Sequence, residues 1–444
     1  MRQTKIFLNP WLLTLPILFI FVADVWMLAK NVPLSDGIRY WQTASDILDR
    51  FRTTPVLESW LFLNGPLYPL ILAFFKGIGF SVKAAIFLNA AFLYVGFTYF
   101  LKTAQHFVNS KIAIWITYIL VFVDPFLFYW GAKLYSEPLA ILWICLLLYL
   151  LTKYYTSPSQ STLLQAALIF CLLALTRVIF AYVLLAFILI GFLGYFIFQN
   201  KMLKSLGKLG VFGLLFCLPY LLFTFNITNK IFYWSGNGGL LLYWTASPYK
   251  TDMGEWHTMQ INHDHFAARY NSFSGLDSLY LRKVNDIIIN EINENHQEFA
   301  QQLSATKDLI EYDDTLKAKA IENIKNHPTA FIMNWILNTG RLLVGIPHAL
   351  YHKPPFSPLF TLLNTVKSSF LFCFFVVATG LFISKFSFNN FHLVWMLMML
   401  VVYLGGQSLL AVQSQRFLLP VYPIIIMFIA LSFSNHLQII KPKY

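Results

Sequence analysis

The stretch VPLSDGIRYWQTASDILDRF, residues 32–51, directly follows the first apolar run of the chain. It contains three aspartates, Asp36, Asp46 and Asp49. Its apolar residues nevertheless recur at helical spacing, as Ile38, Trp41, Leu48 and Phe51. A helix of this kind lies in the plane of a membrane interface, with its tryptophan at headgroup depth. The stretch therefore predicts a membrane protein whose first span leads into an external, interfacial helix.

The composition of the whole chain supports this prediction. The chain has 444 residues, of which 58% are hydrophobic and 12% charged, and the charged fraction is about half that of an average soluble protein. The net charge of +12 does not indicate nucleic-acid binding, because the basic residues lie in short loops and form no basic domain. All four cysteines lie inside apolar runs, which favours buried thiols over a disulfide framework.

Apolar runs predict an all-α polytopic membrane protein with about ten or more spans. The clearest runs are residues 11–29, 84–101, 112–129, 138–152, 161–176, 178–198, 209–226, 366–384, 391–408 and 416–434. The first run resembles an uncleaved signal anchor, because no small-residue cleavage site follows it. Residues 67–80 and 331–350 are also apolar, but both carry charged residues. We expect these two stretches to be interfacial or re-entrant.

The distribution of charge predicts the orientation in the membrane. We assume that the N-terminus is cytoplasmic and that residues 67–80 and 331–350 do not cross the membrane. The cytoplasmic loops then carry basic residues and no acidic ones. These basic residues are Arg2, Lys5, Lys102, Lys111, Lys153, Lys201, Lys204, Lys208, Lys385, Lys441 and Lys443. This pattern matches the positive-inside rule. It predicts that both termini are cytoplasmic.

Under this topology two segments are external, and they divide the chain into three predicted parts. Residues 1–226 form a transmembrane core that includes the first external loop, 30–83. Residues 227–330 form a small helical cap, with Pro328 as a helix stop before the membrane returns, and we expect this cap to help to choose the acceptor. Residues 331–444 form an interfacial helix and the last spans. The cap contains HTMQINHDH, with His257, His263 and His265, which we interpret as solvated loop histidines rather than a metal site.

Ionisable residues near lipid are costly, so their positions point to function. Five of them are predicted at the outer side: Asp36, Asp124, Glu137, Arg177 and Arg416. Two acids and two arginines that converge at one face of the membrane predict a site that binds an anion and also transfers a proton. Structural alternatives stay open: Asp36 can be a helix cap, Glu137 a helix-start carboxylate before Pro138, and each arginine an interfacial anchor. Asp124 precedes Pro125 and is expected to end a helix.

Five motifs in this order resemble bacterial members of the GT-C superfamily of membrane glycosyltransferases. The likeness is to the polyprenyl-phosphate-sugar-dependent group, which includes protein O-mannosyltransferases and lipid A aminoarabinose transferases. The motifs are SDGIRYWQTA, NGPLYPLIL, KLYSEPLAILWICLLLYLL, LALTRVIFAYVLL and SQRFLLPVYPIIIM. NGGLLLYWTASP is similar to the Gly-rich start of the large external segment in this group. The pieces extend over nearly the whole chain, and the resemblance implies a GT-C-like helical bundle.

The resemblance also implies roles for particular residues. Asp36 corresponds to the essential acid of the first loop, and Glu137 to the acid of the second. Arg177 and Arg416 are the candidates for binding the lipid phosphate, and Tyr40, Trp41 and Tyr68 for interfacial or substrate-positioning roles. Asp36 and Glu137 are also candidates for a divalent cation. Many relatives have two adjacent acids in the first loop, whereas here Gly37 follows Asp36.

The function implied is transfer of a sugar from a polyprenyl monophosphate to an acceptor on the outer face of a bacterial inner membrane. The acceptor could be lipid A, a surface polysaccharide or a protein side chain. Two alternatives remain: a flippase or transporter of lipid-linked sugars, and an O-antigen ligase or polymerase with a diphosphate-linked donor. The nearly charge-free interiors of the predicted spans disfavour transport.

Overall fold

The structure is a computed structural model of the chain. It describes residues 9–33, 36–53, 65–107, 110–122, 124–234, 236, 238–249, 252–254, 299–344, 358–384, 390–410 and 415–436. The histidines predicted to be solvated, His257, His263 and His265, lie outside these residues, as does most of the predicted cap.

The described residues are helical and contain no strand. In chain order the helices are α1 (Pro10–Leu13), α2 (Leu15–Leu28), α3 (Asp36–Thr53), α4 (Leu67–Gly77), α5 (Val82–Phe107), α6 (Ser110–Phe122), α7 (Pro125–Gly131), α8 (Glu137–Thr156), α9 (Gln160–Thr176), α10 (Ile179–Phe198), α11 (Lys201–Phe216), α12 (Leu218–Thr228), α13 (Gly238–Thr245), α14 (Phe299–Asn326), α15 (Pro328–Val344), α16 (Pro358–Ser384) and α17 (Phe391–Ser408). A 3-10 helix, Gln415–Val421, leads into α18 (Tyr422–His436).

By length and composition, eight helical segments of the described chain could cross a membrane. They are Pro10–Leu28, Val82–Phe107, Glu137–Thr156, Ile179–Phe198, Lys201–Asn226, Thr365–Ser384, Phe391–Ser408 and Arg416–Phe433. The predicted polytopic, all-helical class is therefore confirmed. The short apolar helix α9 corresponds to the predicted span 161–176, and the short apolar helix α4 lies in the stretch predicted not to cross.

The predicted span 112–129 is not one continuous helix. It is divided into α6 and α7 at Asp124, whose backbone is extended with φ −106° and ψ 93°. Pro125 excludes the helical conformation for the residue before it, so the first helix ends there. The Asp124 carboxylate then accepts a hydrogen bond from the backbone N–H of Phe126 at 2.9 Å and caps α7.

The main core is an apolar bundle of the long helices. α5 packs on α8, α8 on α9, and α10 on α11, while α17 and α18 close the bundle. Its largest buried side chains include Phe97, Phe170, Phe187, Trp395 and Phe428. Since α8 begins at Glu137 and has Lys153 in its last turn, these two residues lie about 24 Å apart along the helix axis. The acids and arginines therefore lie at the opposite end of the bundle from the basic loop after α8.

The helices α3 and α4 pack together against the end of this bundle where α8 begins. Tyr40, Ala44 and Ile47 of α3 are buried against Tyr68 and Leu72 of α4. Ile38, in the predicted apolar stripe of α3, is 49% exposed, as expected for a side chain in the interface. The helix was predicted correctly, and the structure adds the buried face through which it packs on α4.

The described part of the cap has its own small core. Tyr243 and Ala246 at α13 pack against Leu316 and Ala320 of α14. The Asp313 carboxylate accepts hydrogen bonds from the first backbone N–H groups of α13, those of Gly239 and Leu240, at 3.0 Å each. Burial raises the pKa of Asp313 to about 6, although these two hydrogen bonds oppose the increase. The predicted domain boundaries at residues 226 and 330 stay predictions.

The stretch 331–350 was predicted to be interfacial or re-entrant, and its described part forms most of α15. The polar face of α15 is buried against the cap. Asn334 Nδ2 donates to the backbone oxygens of Thr245 and Ser247 at 3.0 Å each, and Arg341 Nη1 donates to that of Met253 at 2.8 Å. The polar residues that made this stretch ambiguous therefore fasten the cap to the bundle.

Candidate active site

The predicted acids and arginines meet at one end of the bundle, with Arg416 at their centre. Arg416 Nη1 lies 2.6 Å from Asp36 Oδ2, and Arg416 Nε lies 2.5 Å from Glu137 Oε1. The three residues come from α3, α8 and the 3-10 helix, and Asp36 and Arg416 are 380 positions apart in the chain. The structure therefore joins three distant segments through one guanidinium.

Arg177 completes this group, which we call the acid–arginine cluster: Asp36, Glu137, Arg177 and Arg416. Arg177 Nη1 lies 3.0 Å from the same oxygen, Glu137 Oε1, that binds Arg416. The Glu137 side chain is only 1% exposed, and its second oxygen, Oε2, is buried and accepts no hydrogen bond from the described residues. By contrast, the Asp36 side chain is 35% exposed. Glu137 is therefore the internal anchor of both arginines, and Asp36 is the accessible acid.

Local backbone geometry places each member of the cluster. Glu137 is the first residue of α8 and is followed by Pro138, a usual residue at a helix start. Arg177 follows the last residue of α9 with extended backbone, φ −137° and ψ 107°, and this turn directs the chain into α10. Arg416 is the second residue of the 3-10 helix. Each charged group therefore lies at a helix end, where it need not be placed in the apolar interior.

Aromatic rings surround the two guanidinium groups. The Cζ atom of Arg416 lies 4.1 Å from the ring centre of Tyr135 and 5.3 Å from that of Trp130. Phe417 lies between the arginines, 5.2 Å from Arg177 Cζ and 5.4 Å from Arg416 Cζ. Ring faces attract cations and exclude water. These contacts fix the planes of both guanidiniums.

The residues predicted to position substrate line α3 and α4 beside the cluster. Tyr40 is buried, and its hydroxyl lies 3.2 Å from Ser136 Oγ, next to Glu137. The Tyr40 ring contacts the buried Tyr68 ring edge-to-face, with the centroids 5.0 Å apart. Trp41 lies on a different face, where Lys76 Nζ is 4.8 Å from its ring centre. Tyr40 and Tyr68 therefore support the cluster from inside, whereas Trp41 belongs to the surface of α3.

A close approach explains why a glycine follows Asp36. A Cβ atom at Gly37 would lie 3.2 Å from both Cβ and the backbone oxygen of Leu134. A second acid at this position would require α3 to move away from the loop before α8. In this chain the glycine allows α3 to bring Asp36 up to Arg416.

Electrostatics keeps the accessible acid ionised. Burial alone would raise the pKa of Asp36, but the charge and hydrogen bond of Arg416, aided by Arg39 and Arg177, hold that pKa below its usual value. Burial, followed by the charge of Glu137, raises the pKa of the Tyr40 hydroxyl, so Tyr40 stays neutral. Asp36 is thus a carboxylate at neutral pH and can accept a proton.

The cluster does not fit a divalent cation held between Asp36 and Glu137. Both carboxylates contact the Arg416 guanidinium, which already occupies the place of a cation between them. Among the described residues, no three or more His, Cys, Asp or Glu side chains form a group that could hold a metal ion.

Asp124 does not join the cluster. Its carboxylate lies 3.0 Å from Lys367 Nζ of α16, and both side chains are buried. The prediction that Asp124 ends a helix is correct, but the pair with Lys367 was missed, because the lysine stands alone in an apolar run. The aromatic partners Trp130 and Tyr135 were also missed, although both lie within seven residues of Glu137.

The chain is similar in structure to the archaeal oligosaccharyltransferase AglB from Archaeoglobus fulgidus, solved in complex with an inhibitory peptide and a dolichol-phosphate. The TM-score is 0.48 and the sequence identity 13%. The similarity covers 95% of this chain and 50% of that protein, so this chain spans half of its length. No family model matches the chain, and no curated protein matches it.

Proposed function

We propose that this protein is an integral membrane glycosyltransferase of the GT-C type. It transfers a sugar from a polyprenyl monophosphate to an acceptor at the outer face of a bacterial inner membrane. The observation that supports this most is the Arg416 guanidinium between Asp36 and Glu137, with Arg177 on the same glutamate. The cluster combines an accessible carboxylate with two groups suited to phosphate.

In the proposed reaction, the acceptor hydroxyl oxygen attacks the anomeric carbon while the bond from that carbon to the phosphate oxygen breaks. Asp36 accepts the hydroxyl proton as general base, a role typically worth about 10²–10⁴-fold in rate. The electron pair of the broken bond remains on the departing polyprenyl phosphate. Arg177 and Arg416 stabilise the charge that develops there, because a guanidinium stays protonated and offers parallel donors. Glu137 positions both arginines.

The location at the bundle end supports a lipid-borne donor. The cluster lies beside α3 and α4, where exposed apolar side chains such as Ile38, Leu70 and Phe74 face outward. A headgroup at the membrane surface would reach the cluster while its polyprenyl chain stays among such side chains. No nucleotide-binding loop is needed, since the donor is already lipid-linked.

The direct test is turnover by purified full-length protein with a polyprenyl-phosphate sugar, measured as release of polyprenyl phosphate. We expect Asp36→Asn and Arg416→Ala to abolish release, and Asp46→Asn, a change of another acid on α3, to leave it within twofold of wild type. Size-exclusion profiles and thermal midpoints show whether each variant is folded. Normal turnover by a folded Asp36→Asn protein would refute Asp36 as the base.

The same preparation distinguishes the alternatives. Reconstituted protein that moves a fluorescent lipid-linked sugar between leaflets without cleaving it would be a flippase. Cleavage of a diphosphate-linked donor but not of a monophosphate-linked one would indicate a ligase or polymerase. The transferase proposal requires cleavage of the monophosphate-linked donor in the presence of an acceptor.

A further inference from the structure

Lys133, in the loop between α7 and α8, is a cation beside the acid–arginine cluster, and no carboxylate of the described residues pairs with it. No described acid lies within ion-pair distance of its Nζ atom, which instead lies 3.6 Å from the ring centre of Tyr129 and 4.6 Å from that of Trp130. The side chain is half-buried. Lys133 is therefore a cation next to a site made of charged groups, and no described acid offsets its charge.

Lys133 and Arg416 share one aromatic ring. The Cζ atom of Arg416 lies 5.3 Å from the Trp130 ring centre and Lys133 Nζ lies 4.6 Å from it, so the two cations are at most about 10 Å apart. Two cations held this close repel each other unless an anion lies near both. The geometry places Lys133 at the edge of the cluster on the Arg416 side.

The backbone of Lys133 is held firmly. Its carbonyl oxygen accepts hydrogen bonds from Asn89 Nδ2 at 2.6 Å and from the backbone N–H of Tyr135 at 2.9 Å. Asn89 is fully buried in α5 and also donates to the oxygen of Gly131 at 3.0 Å. One buried amide thus fixes the loop on both sides of Ala132, so the lysine projects from a rigid base.

The charge balance of the cluster shows what Lys133 can do. Asp36 and Glu137 carry two negative charges, and Arg177 and Arg416 carry two positive ones, so the four groups together are neutral. A neutral cluster offers an incoming phosphate little net attraction. Lys133 supplies a positive charge on the Arg416 side, in addition to that of Arg39, whose charge acts on Asp36.

We propose that Lys133 binds the phosphate of the polyprenyl-linked donor and of the polyprenyl phosphate product. This inference rests on the proposed function and adds a phosphate-binding residue to that site. Lys133 should favour the product over the donor, because the phosphomonoester product carries more negative charge than the phosphodiester donor. A compact ammonium suits this role, since it attracts charge without fixed geometry while Arg177 and Arg416 provide directed hydrogen bonds.

The titration of Lys133 agrees with this role. Burial, followed by repulsion from Arg416, lowers the pKa of Lys133 to about 8. Both causes penalise the charged lysine in the free protein, and a bound phosphate would offset them. The competing interpretation is an interfacial lysine that is merely packed on aromatic rings. Lys83 is such a residue: its Nζ lies 4.8 Å from the Trp26 ring centre and 3.0 Å from the backbone oxygen of Trp26.

The test is equilibrium binding of a short polyprenyl monophosphate to full-length protein in nanodiscs, with the corresponding polyprenol as the uncharged probe. We expect Lys133→Gln to weaken binding of the phosphate by tenfold or more and Lys133→Arg to stay within threefold of wild type. The matched control, Lys83→Gln, should bind like wild type. Polyprenol should bind all four proteins equally. Inorganic phosphate is added as a competitor, to show whether the free ion alone occupies the site.

Each outcome decides between the interpretations. Equal phosphate affinity of wild type and Lys133→Gln overturns this inference and leaves the glycosyltransferase proposal standing. An equal loss of phosphate and polyprenol binding in Lys133→Gln also overturns it, because the defect would then be structural. If wild type binds no polyprenyl phosphate, the proposed function fails as well. Competition by millimolar inorganic phosphate in wild type but not in Lys133→Gln would support a phosphate site that does not require the lipid.

Discussion

The backbone of Gly65 lies directly against the carbonyl oxygen of Leu175. A Cβ atom at Gly65 would lie 2.3 Å from that oxygen and 2.7 Å from the oxygen of Thr176. The segment GPLYP, from Gly65 on, therefore packs on the last turn of α9, immediately before Arg177. Two of the motifs on which the resemblance to GT-C enzymes rests thus pack against each other, and this contact helps to set the position of an arginine of the cluster.

Gly65→Ala is expected to displace the turn at Arg177 and to lower both stability and turnover. Backbone atoms, not flexible side chains, meet the new methyl group, so the strain cannot be relieved cheaply, and overpacking of this kind typically costs about 1–3 kcal/mol. The measurement is the thermal midpoint together with polyprenyl phosphate release.

Gly340→Ala is the matched control for that change. In the described part of the chain, no atom beyond the adjacent residues and the local helix backbone lies within 4 Å of a Cβ at Gly340, and alanine stabilises a helix interior relative to glycine by up to about 1 kcal/mol. The control should match or exceed wild type in its thermal midpoint. Equal behaviour of the two alanine variants would contradict the close approach at Gly65.

Glu137→Gln and Asp36→Asn should separate stability from chemistry. Glu137 is buried and binds two guanidiniums, and removal of one partner from a buried ion pair typically costs about 3–5 kcal/mol. Asp36 is one-third exposed and binds one guanidinium, so its loss should cost far less. We expect a markedly lower thermal midpoint only for Glu137→Gln, and loss of transfer for both. If Asp36→Asn lowers the thermal midpoint more than Glu137→Gln does, Glu137 is not the structural anchor of the cluster.

The pH dependence of polyprenyl phosphate binding should follow the protonation of Lys133. Its pKa is about 8, so the charged form predominates at pH 7 and is lost as the pH rises above 8. Affinity for polyprenyl phosphate should therefore fall by about tenfold from pH 7 to pH 9, towards the value of Lys133→Gln. The phosphate itself is fully ionised over this range, because its second pKa is about 6.

Lys133→Arg should remove that pH dependence, because arginine stays protonated. The groups that face Lys133 are Tyr129 and Trp130 of α7 and Arg416 of the 3-10 helix, and the two acids of the cluster contact the arginines instead. A decline of the same size in Lys133→Arg would assign the titration to another group.

Asn334→Leu should loosen the cap without removing the donor site. The buried Asn334 amide donates to two backbone oxygens, those of Thr245 and Ser247. Loss of a partner from a buried polar group costs about 1–3 kcal/mol. Since the cap was predicted to select the acceptor, we expect a higher KM for the acceptor and unchanged affinity for polyprenyl phosphate.

Met333→Leu is the control for this change, because Met333 is the neighbouring residue on α15 and its side chain is 56% exposed. It should behave like wild type in both measurements. An Asn334→Leu protein that is less stable but keeps its acceptor KM would limit the cap to a structural role.

Hydropathy and charge in the sequence predicted the helical class, most of the spans and the placement of charged residues at helix ends. These properties are local: a span must be apolar over its own length, and a charge near lipid is costly wherever it occurs. The same local reasoning placed Asp36 at the start of an interfacial helix and Glu137 at the start of a span.

Contacts between distant segments could not be predicted in this way. The rotation and packing of helices decide that Asp124 pairs with Lys367 and which face of α3 is buried. Hydropathy does not specify either of these. The convergence of Asp36 and Arg416 at one face was predicted from topology, but their direct contact through Arg416, and the role of Glu137 as anchor of both arginines, were not.

By itself, the sequence determined that this chain is a multi-pass membrane protein and that Asp36, Glu137, Arg177 and Arg416 lie at helix ends, because the cost of polar groups in lipid acts on each segment independently. Only the tertiary structure decided that these four charges pair with one another and that Lys133, beside them, pairs with no described acid. Ion pairing depends on distances of a few ångströms between residues up to 380 positions apart, and those distances are set by packing.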